Sequence, residues 1–396
     1  MRFRLGPTPA QEQVLLEHCS HARYVWNLAV EQHQHWRPGR ASAPGYAEPS
    51  RQLTEARNEF AWLAAGSQTV QQQALRDFAQ AMGNFFAGMH RRPTWRKTGV
   101  HEGFRIVGKR GKDWNVRRVS RKTGEVWIPK VGWVRFRWSR EVTDDAKSFR
   151  VRRDRAGRWH VAFAVIPPSV NGPGTGQVVG VDRGVAVSAA LSTGEQLSVP
   201  GLRDTEVERL RRLQRRLARA KLGSNRRTRV KMAIGRLKAR ETDRRKDWVE
   251  KTSTYLARRY DVIRVEDLKI KNMVRSARGT LAAPGTNVRA KAGLNRSIHA
   301  AGWGLLVTRL EQKAPGRVEK INPAYTSQIC HACGHRAAEN RESQAVFRCR
   351  ACGHVDHADV NAAKNIAVGR TVTARGALQP PGGAMNREPQ PVLTSR

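Results

Sequence analysis

Apolar positions recur every three to four residues through "TPAQEQVLLEHCSHARYVWNLAVEQH". Val14, Leu15, Cys19, Ala22, Val25, Trp26 and Ala29 then share one face of a helix. Thr8 is the expected N-cap, Pro9 opens the first turn, and Gln11 reaches back to the cap. Cys19 lies on the apolar stripe, which predicts a buried thiol rather than a nucleophile. The helical period continues in "QTVQQQALRDFAQAMGNFF". A short alternating strand in residues 1–10 and a helical segment over 11–92 are therefore expected. From "RRPTWRKTG" the period drops to two. Val134, Phe136 and Trp138 fall on one face of a strand, and Trp133, Arg135 and Arg137 on the other. "FRVRRDRAGRWHVAFAVIPP" predicts a hairpin turning from Asp154 to Gly157, with Trp159, Val161, Phe163 and Val165 on one face. Residues 93–170 thus form a β-rich segment. Its outer face of arginines and aromatics suits a nucleic-acid backbone with stacking sites, or else is an ordinary solvated sheet face.

"PPSVNGPGTG", Pro167 to Gly176, marks a domain boundary. The apolar run "VVGVDRGVAVSAA" follows, then helical stretches rich in arginine. Leu210, Leu213 and Leu217 make a narrow apolar stripe in the first of these. The scarcity of acids in "RRLQRRLARAKLGSNRRTRVK" favours a surface that lies along nucleic acid. "YDVIRVEDL" predicts a second buried strand. The Gly/Ala/Asn-rich run after it predicts a mobile loop, followed by a helix in "AGWGLLVTRLEQKA" and a strand in "GRVEKINP". Residues 370–396 lack apolar periodicity and are expected to be disordered.

Charge sharpens this picture. The 396 residues carry 73 Lys+Arg against 33 Asp+Glu, a formal net charge of +40. A surface that basic along its whole length calls for a polyanion, and nucleic acid is the expected partner. No apolar run is long enough to span a bilayer, and no secretory signal opens the chain, so a cytoplasmic location is expected. No G-x-x-x-x-G-K-[ST] occurs, so nucleotide hydrolysis is not indicated.

Four of the five cysteines form two CxxC pairs, Cys330/Cys333 and Cys349/Cys352, with fifteen residues between the pairs. That spacing fits a tetrahedral four-thiolate zinc ribbon. A glycine follows each pair and permits the tight turn that aims amides at the sulfurs. Four thiolates close the coordination sphere, so this zinc is structural. His331, His335, His354 and His357 are surplus as ligands.

Chemistry must then lie elsewhere. Asp182 interrupts an apolar strand, where a carboxylate is costly unless paired or metal-bound. Glu266 ends the strand "VIRVED", and Asp359 opens the helix-like run "ADVNAAKNIAV". Three such acids can hold two Mg2+ ions about 3.5–4 Å apart for phosphodiester hydrolysis. Asp267 and Asp356 are competing candidates.

With these residues in view, the chain resembles TnpB, the OrfB-type protein of insertion sequences, a family related to compact type V CRISPR effector nucleases. The resemblance rests on "RLGPTPAQEQVLLEHCSHARYVWNLAV", "IPKVGWVRFR", "GVDRGV", "RVEDLKIKNM", "NPAYTSQICHACGH" and "FRCRACGHVDHADVNAAKNIAVG". It implies an RNA-guided, Mg2+-dependent DNA endonuclease with guide RNA and double-stranded DNA as partners. Asp182, Glu266 and Asp359 match the acids of the three RuvC motifs, and the four cysteines match the zinc ligands. The implied fold is multidomain α+β. Residues 1–10 give the first wedge strand, 11–92 a helical recognition lobe and 93–170 the β-rich wedge. Residues 176–324 and 356–369 form an RNase H-like RuvC nuclease domain, with the zinc ribbon inserted at 325–355. The segment between "LEQKA" and "KINP" is shorter than is usual in the family. The same resemblance admits a nuclease-inactive guided DNA-binding regulator or a compact type V CRISPR effector. A zinc-ribbon DNA-binding protein without RNA, and a strand-transferring transposase, fit the acids and the charge less well.

Overall fold

A computed structural model of the chain describes residues 1–35 and 45–369. These divide into two compact units, Met1–Ile166 with Arg209–Arg236, and Pro167–Glu208 with the described residues from Leu237 onward. The boundary at Ile166 falls where the proline- and glycine-rich run begins. Residues 209–236, which sequence placed within the nuclease segment, group with the first unit instead. The expected disorder of 370–396 lies outside the described residues.

In the first unit β1 (Arg2–Gly6) leads into α1 (Pro9–His35), followed by α2 (Ala47–Glu59), α3 (Ala61–Ala65) and α4 (Gln68–Phe86). The cap of α1 is reciprocal: the Gln11 amide donates to Thr8 Oγ1 at 3.3 Å, and the Thr8 amide donates to Gln11 Oε1 at 3.1 Å. Leu15, Cys19, Ala22, Val25, Trp26 and Ala29 are buried along one stripe of α1. Burial pushes the Cys19 thiol well above its ordinary pKa, as expected of an inert core thiol.

Six further strands complete this unit: β2 (Gly103–Val107), β3 (Asn115–Arg118), β4 (Thr123–Ile128), β5 (Gly132–Arg137), β6 (Ser148–Arg153) and β7 (Trp159–Phe163). They form a seven-stranded sheet in the order β2-β6-β7-β1-β5-β4-β3. β1 sits between β7 and β5, pairing Phe3 with Val161 and Leu5 with Phe136. The alternation read from sequence is obeyed: Val134 and Phe136 are buried while Arg135 and Arg137 are exposed. Phe3 packs its ring against Phe136 and Phe163 at 5.1 and 5.8 Å, joining the hairpin to the amino terminus.

The second unit is organised by a five-stranded sheet in the order β10-β9-β8-β11-β12. β8 (Val178–Asp182), β9 (Ala189–Leu191) and β10 (Gln196–Leu197) form an antiparallel run. α5 (Asp204–Arg219) and α6 (Asn225–Arg259) follow along the chain, their residues 209–236 counted in the first unit, and the stretches "RVKMAIGRLKAR" and "WVEKTSTYLARRY" are parts of one helix. β11 (Val262–Glu266) then returns parallel to β8. Such a parallel return requires a long crossover, which the two helices supply.

The run expected to be a mobile loop instead holds α7 (Ile270–Met273) and α8 (Val288–Ala301). α9 (Trp303–Lys313) precedes β12 (Val318–Ile321), which pairs parallel to β11. A small hairpin of β13 (Val346–Arg348) and β14 (Val355–His357) delivers the chain into α10 (Ala358–Ala367). α10 lies directly on β8. A Cβ at Gly180 would collide with the Ala363 carbonyl and the Ala367 amide, so glycine is what lets helix and strand backbones meet. No described helix is long and apolar enough to cross a membrane.

Candidate metal and nuclease site

Asp182 and Glu266 are the last residues of two neighbouring parallel strands, whose register pairs Val181 with Val265. Both acids therefore stand at the carboxyl edge of the sheet, where open α/β sheets place their ligands. Asp359 is the second residue of α10, and its amide donates to His357 Nδ1 at the helix cap. A Cβ on Gly184, two residues past Asp182, would lie 3.6 Å from Asp359 Oδ2. Three carboxylates from two strand ends and one apposed helix thus face a common region.

Their electrostatics record the crowding. Burial pushes the Asp182 pKa up to about 7, and the charges of Glu266 and Asp359 add to the rise. Burial also raises Glu266, against a hydrogen bond from Thr326 and the charge of Arg183. The Thr326 hydroxyl donates to Glu266 Oε1 at 2.7 Å. Arg183 donates to the Glu266 backbone carbonyl. Arg341 pairs with Asp359 Oδ1 at 2.9 Å. Its charge also works to lower the pKa of Asp182. Buried carboxylate oxygens that repel one another are a donor set that a hard divalent cation would satisfy. The competing acids are committed elsewhere. Asp267 is half-buried and pairs with Lys269, while Asp356 pairs with Lys364 at 2.7 Å.

The four ribbon sulfurs lie within 4.8 Å of one another, the one group of three or more His, Cys, Asp or Glu among the described residues so tightly gathered. The Cys330–Cys352 and Cys333–Cys349 Sγ separations are 3.7 and 3.5 Å. A tetrahedron with metal–sulfur bonds of about 2.3 Å has edges of about 3.8 Å, so the geometry fits zinc. It does not fit disulfides, whose sulfurs are about 2.05 Å apart. Gly334 and Gly353 adopt φ of 81° and 72°, the left-handed turn expected after each pair. Burial opposes ionisation of Cys349, yet the amides of Cys352 and Ala351 and the neighbouring thiols bring its pKa down to about 6. The ribbon is tied to α10 by buried asparagines. Asn361 accepts from the His331 amide, and both Asn361 and Asn365 donate to the Ile329 carbonyl.

Three family models match the chain. The Cas12f1-like TNB domain covers residues 303–366, OrfB_IS605, described as "Probable transposase", covers 160–277, and a helix-turn-helix domain covers 1–40. A protein of Escherichia coli (strain K12), "Putative RNA-guided DNA endonuclease InsQ", is 35% identical over 401 residues, 99% of this chain and 97% of that one. The chain belongs to the TnpB family. A "Putative RNA-guided DNA endonuclease" of Streptomyces pristinaespiralis is 30% identical across 95% of the chain and 90% of that relative. Among solved structures, the "Cryo-EM structure of the Cas12f1-sgRNA-target DNA complex" aligns with 94% of this chain and 84% of its own, at a TM-score of 0.50 and 15% identity. That likeness is one of fold.

In this TnpB-family chain the OrfB match spans Asp182 and Glu266, and the TNB match spans the four cysteines and Asp359. The TNB match also contains Arg341 and Thr326, which contact two of the acids and which sequence reasoning passed over. Arg341 is one arginine among many in a basic chain. No periodicity or spacing separates it from its neighbours; only the fold of the ribbon brings it to Asp359.

Proposed function

We propose that the chain is an RNA-guided DNA endonuclease that hydrolyses phosphodiester bonds at Asp182, Glu266 and Asp359. The observation that carries this reading is the convergence of three half-buried or buried carboxylates at the carboxyl edge of a parallel strand pair. The full-length likeness to relatives named as RNA-guided DNA endonucleases supports it. On this reading the second unit is an RNase H-like RuvC nuclease with a zinc ribbon inserted ahead of its third acid. The first unit supplies a helical recognition lobe and a β-rich wedge that hold guide RNA. The basic helices α5 and α6 carry phosphate contacts that neutralise the net charge of +40.

Two Mg2+ ions held by these acids would supply a polarised phosphate and a water acidic enough to attack. The chain's own residues prepare that site. Thr326 and Arg183 fix Glu266 by its carboxylate and its carbonyl. Arg341 steadies Asp359 and places positive charge beside the reacting phosphate. The zinc ribbon, clamped by Asn361 and Asn365, sets where α10 presents Asp359. Sequence choice in the DNA falls to base pairing with the guide, while the protein reads helical shape and a short flanking motif. The test is single substitution of each acid by alanine in guide-loaded protein. Each variant is expected to bind matched DNA as the wild type does and to cut it at least about a thousandfold more slowly. A variant that cuts at the wild-type rate removes that acid from the site. A wild type that binds but does not cut would make the protein a guided DNA-binding regulator.

A further inference from the structure

Tyr325 has φ of 62°, one of three non-glycine residues with positive φ among those described and the one aromatic in that group. Left-handed backbone is costly for a residue with a Cβ, and a bulky side chain there marks a site where strain is retained for use. The turn itself needs only the backbone, since the Tyr325 carbonyl accepts from the amides of Gln328 and Ile329 at 2.9 and 3.1 Å. Glycine would make the same bonds without strain. The ring is not core: Tyr325 is 44% exposed. The Arg336 guanidinium lies over it, 4.2 Å from the centroid. Arg336 is anchored in turn by a backbone bridge to Ile329 in the first cysteine turn. The next residue, Thr326, grips Glu266. An exposed aromatic ring, backed by an arginine, therefore sits one residue along the chain from the threonine that holds Glu266.

We propose that Tyr325 is a stacking site for a nucleobase of the DNA strand that enters the carboxylate centre, with Arg336 fixing the ring and meeting the adjacent phosphate. The inference rests on the nuclease reading above. Stacking on an aromatic face tolerates any base, which suits an enzyme whose sequence choice is delegated to a guide. It would hold the strand so that the phosphate beside the stacked base falls between Asp182, Glu266 and Asp359.

The test uses the full guide-loaded chain and matched DNA with 2-aminopurine placed at successive positions of each strand, with Ca2+ in place of Mg2+. Wild type and Tyr325→Phe are expected to quench one position or two neighbouring positions. Tyr325→Gly is expected to lose that quenching while holding matched duplex as tightly and melting no lower than wild type. With Mg2+, Tyr325→Gly is expected to cut about tenfold or more slowly, and Tyr325→Phe within about twofold of wild type. Quenching that survives in Tyr325→Gly, or a scan with no quenched position, overturns the stacking site. Absence of cutting by wild type counts against the nuclease reading alone, because the fluorescence scan needs no cleavage.

Discussion

Replacing Asp182 by asparagine should make the protein more stable while abolishing its cutting. Asp182 has a folded-state pKa of about 7 against an ordinary value of 3.8. At about 1.36 kcal/mol per pH unit, that rise corresponds to a cost of about 4 kcal/mol for holding the charge in place. Below about pH 4 both states are protonated and no cost is felt. As pH climbs toward 7 the unfolded chain ionises first, so stability falls through that window and levels above it. Asparagine keeps the shape without the charge, but an unmet amide hydrogen bond costs ~1–3 kcal/mol. A net gain of ~1–3 kcal/mol at pH 8 is expected, or about 2–4 °C in Tm per kcal/mol for a domain of this size. The assay is thermal melting of zinc-loaded protein from pH 5.5 to 8.5, without added divalent cation and again with Mg2+. Without cation the Asp182→Asn advantage should grow with pH. With Mg2+ the wild type should gain stability and the variant should not, because the ion binds the folded carboxylates. A variant no more stable than wild type at pH 8, or one whose advantage ignores pH, would refute the account of a crowded, buried acid.

Three further outcomes follow from the same geometry. Metal analysis should find one zinc per chain in the wild type and none in Cys349→Ser, whose segment from Tyr325 to Asp359 should loosen in hydrogen exchange. Gly180→Ala should cost ~1–3 kcal/mol in melting experiments and slow cleavage, because a methyl group there pushes α10 and Asp359 off β8. Arg341→Ala should shift the acidic limb of the cleavage pH profile upward. Its positive charge works to lower the Asp182 pKa, and without it the acid stays protonated to higher pH.

The parts of this architecture legible in sequence are those where a single constraint dictates spacing. Four thiolates around one ion require paired CxxC turns with left-handed residues after them, and Gly334 and Gly353 meet that need. Asp182 was conspicuous because a charge in "VVGVDRGVAV" has no cheap place in a buried strand. The alternation of β5 and the cap of α1 were legible because each is local. What escaped notice depended on contacts distant in sequence. α8 carries no helical signal in sequence because it buries only Ile298 and Ala301, too few apolar positions to make a stripe. Arg341 and Thr326 reach Asp359 and Glu266 only once the ribbon has folded.

Cleavage of a matched and an unmatched plasmid, by protein purified with its RNA and by the same protein after RNase treatment, tests the central claim most directly. With Mg2+, the RNA-loaded protein should cut the matched plasmid alone and keep doing so as salt rises, while its non-specific DNA binding collapses with a log–log slope of roughly −0.9 per phosphate contact. The RNA-free protein should cut neither. Selective cutting of the matched plasmid by RNA-free protein would contradict the account and leave a protein-read endonuclease in its place.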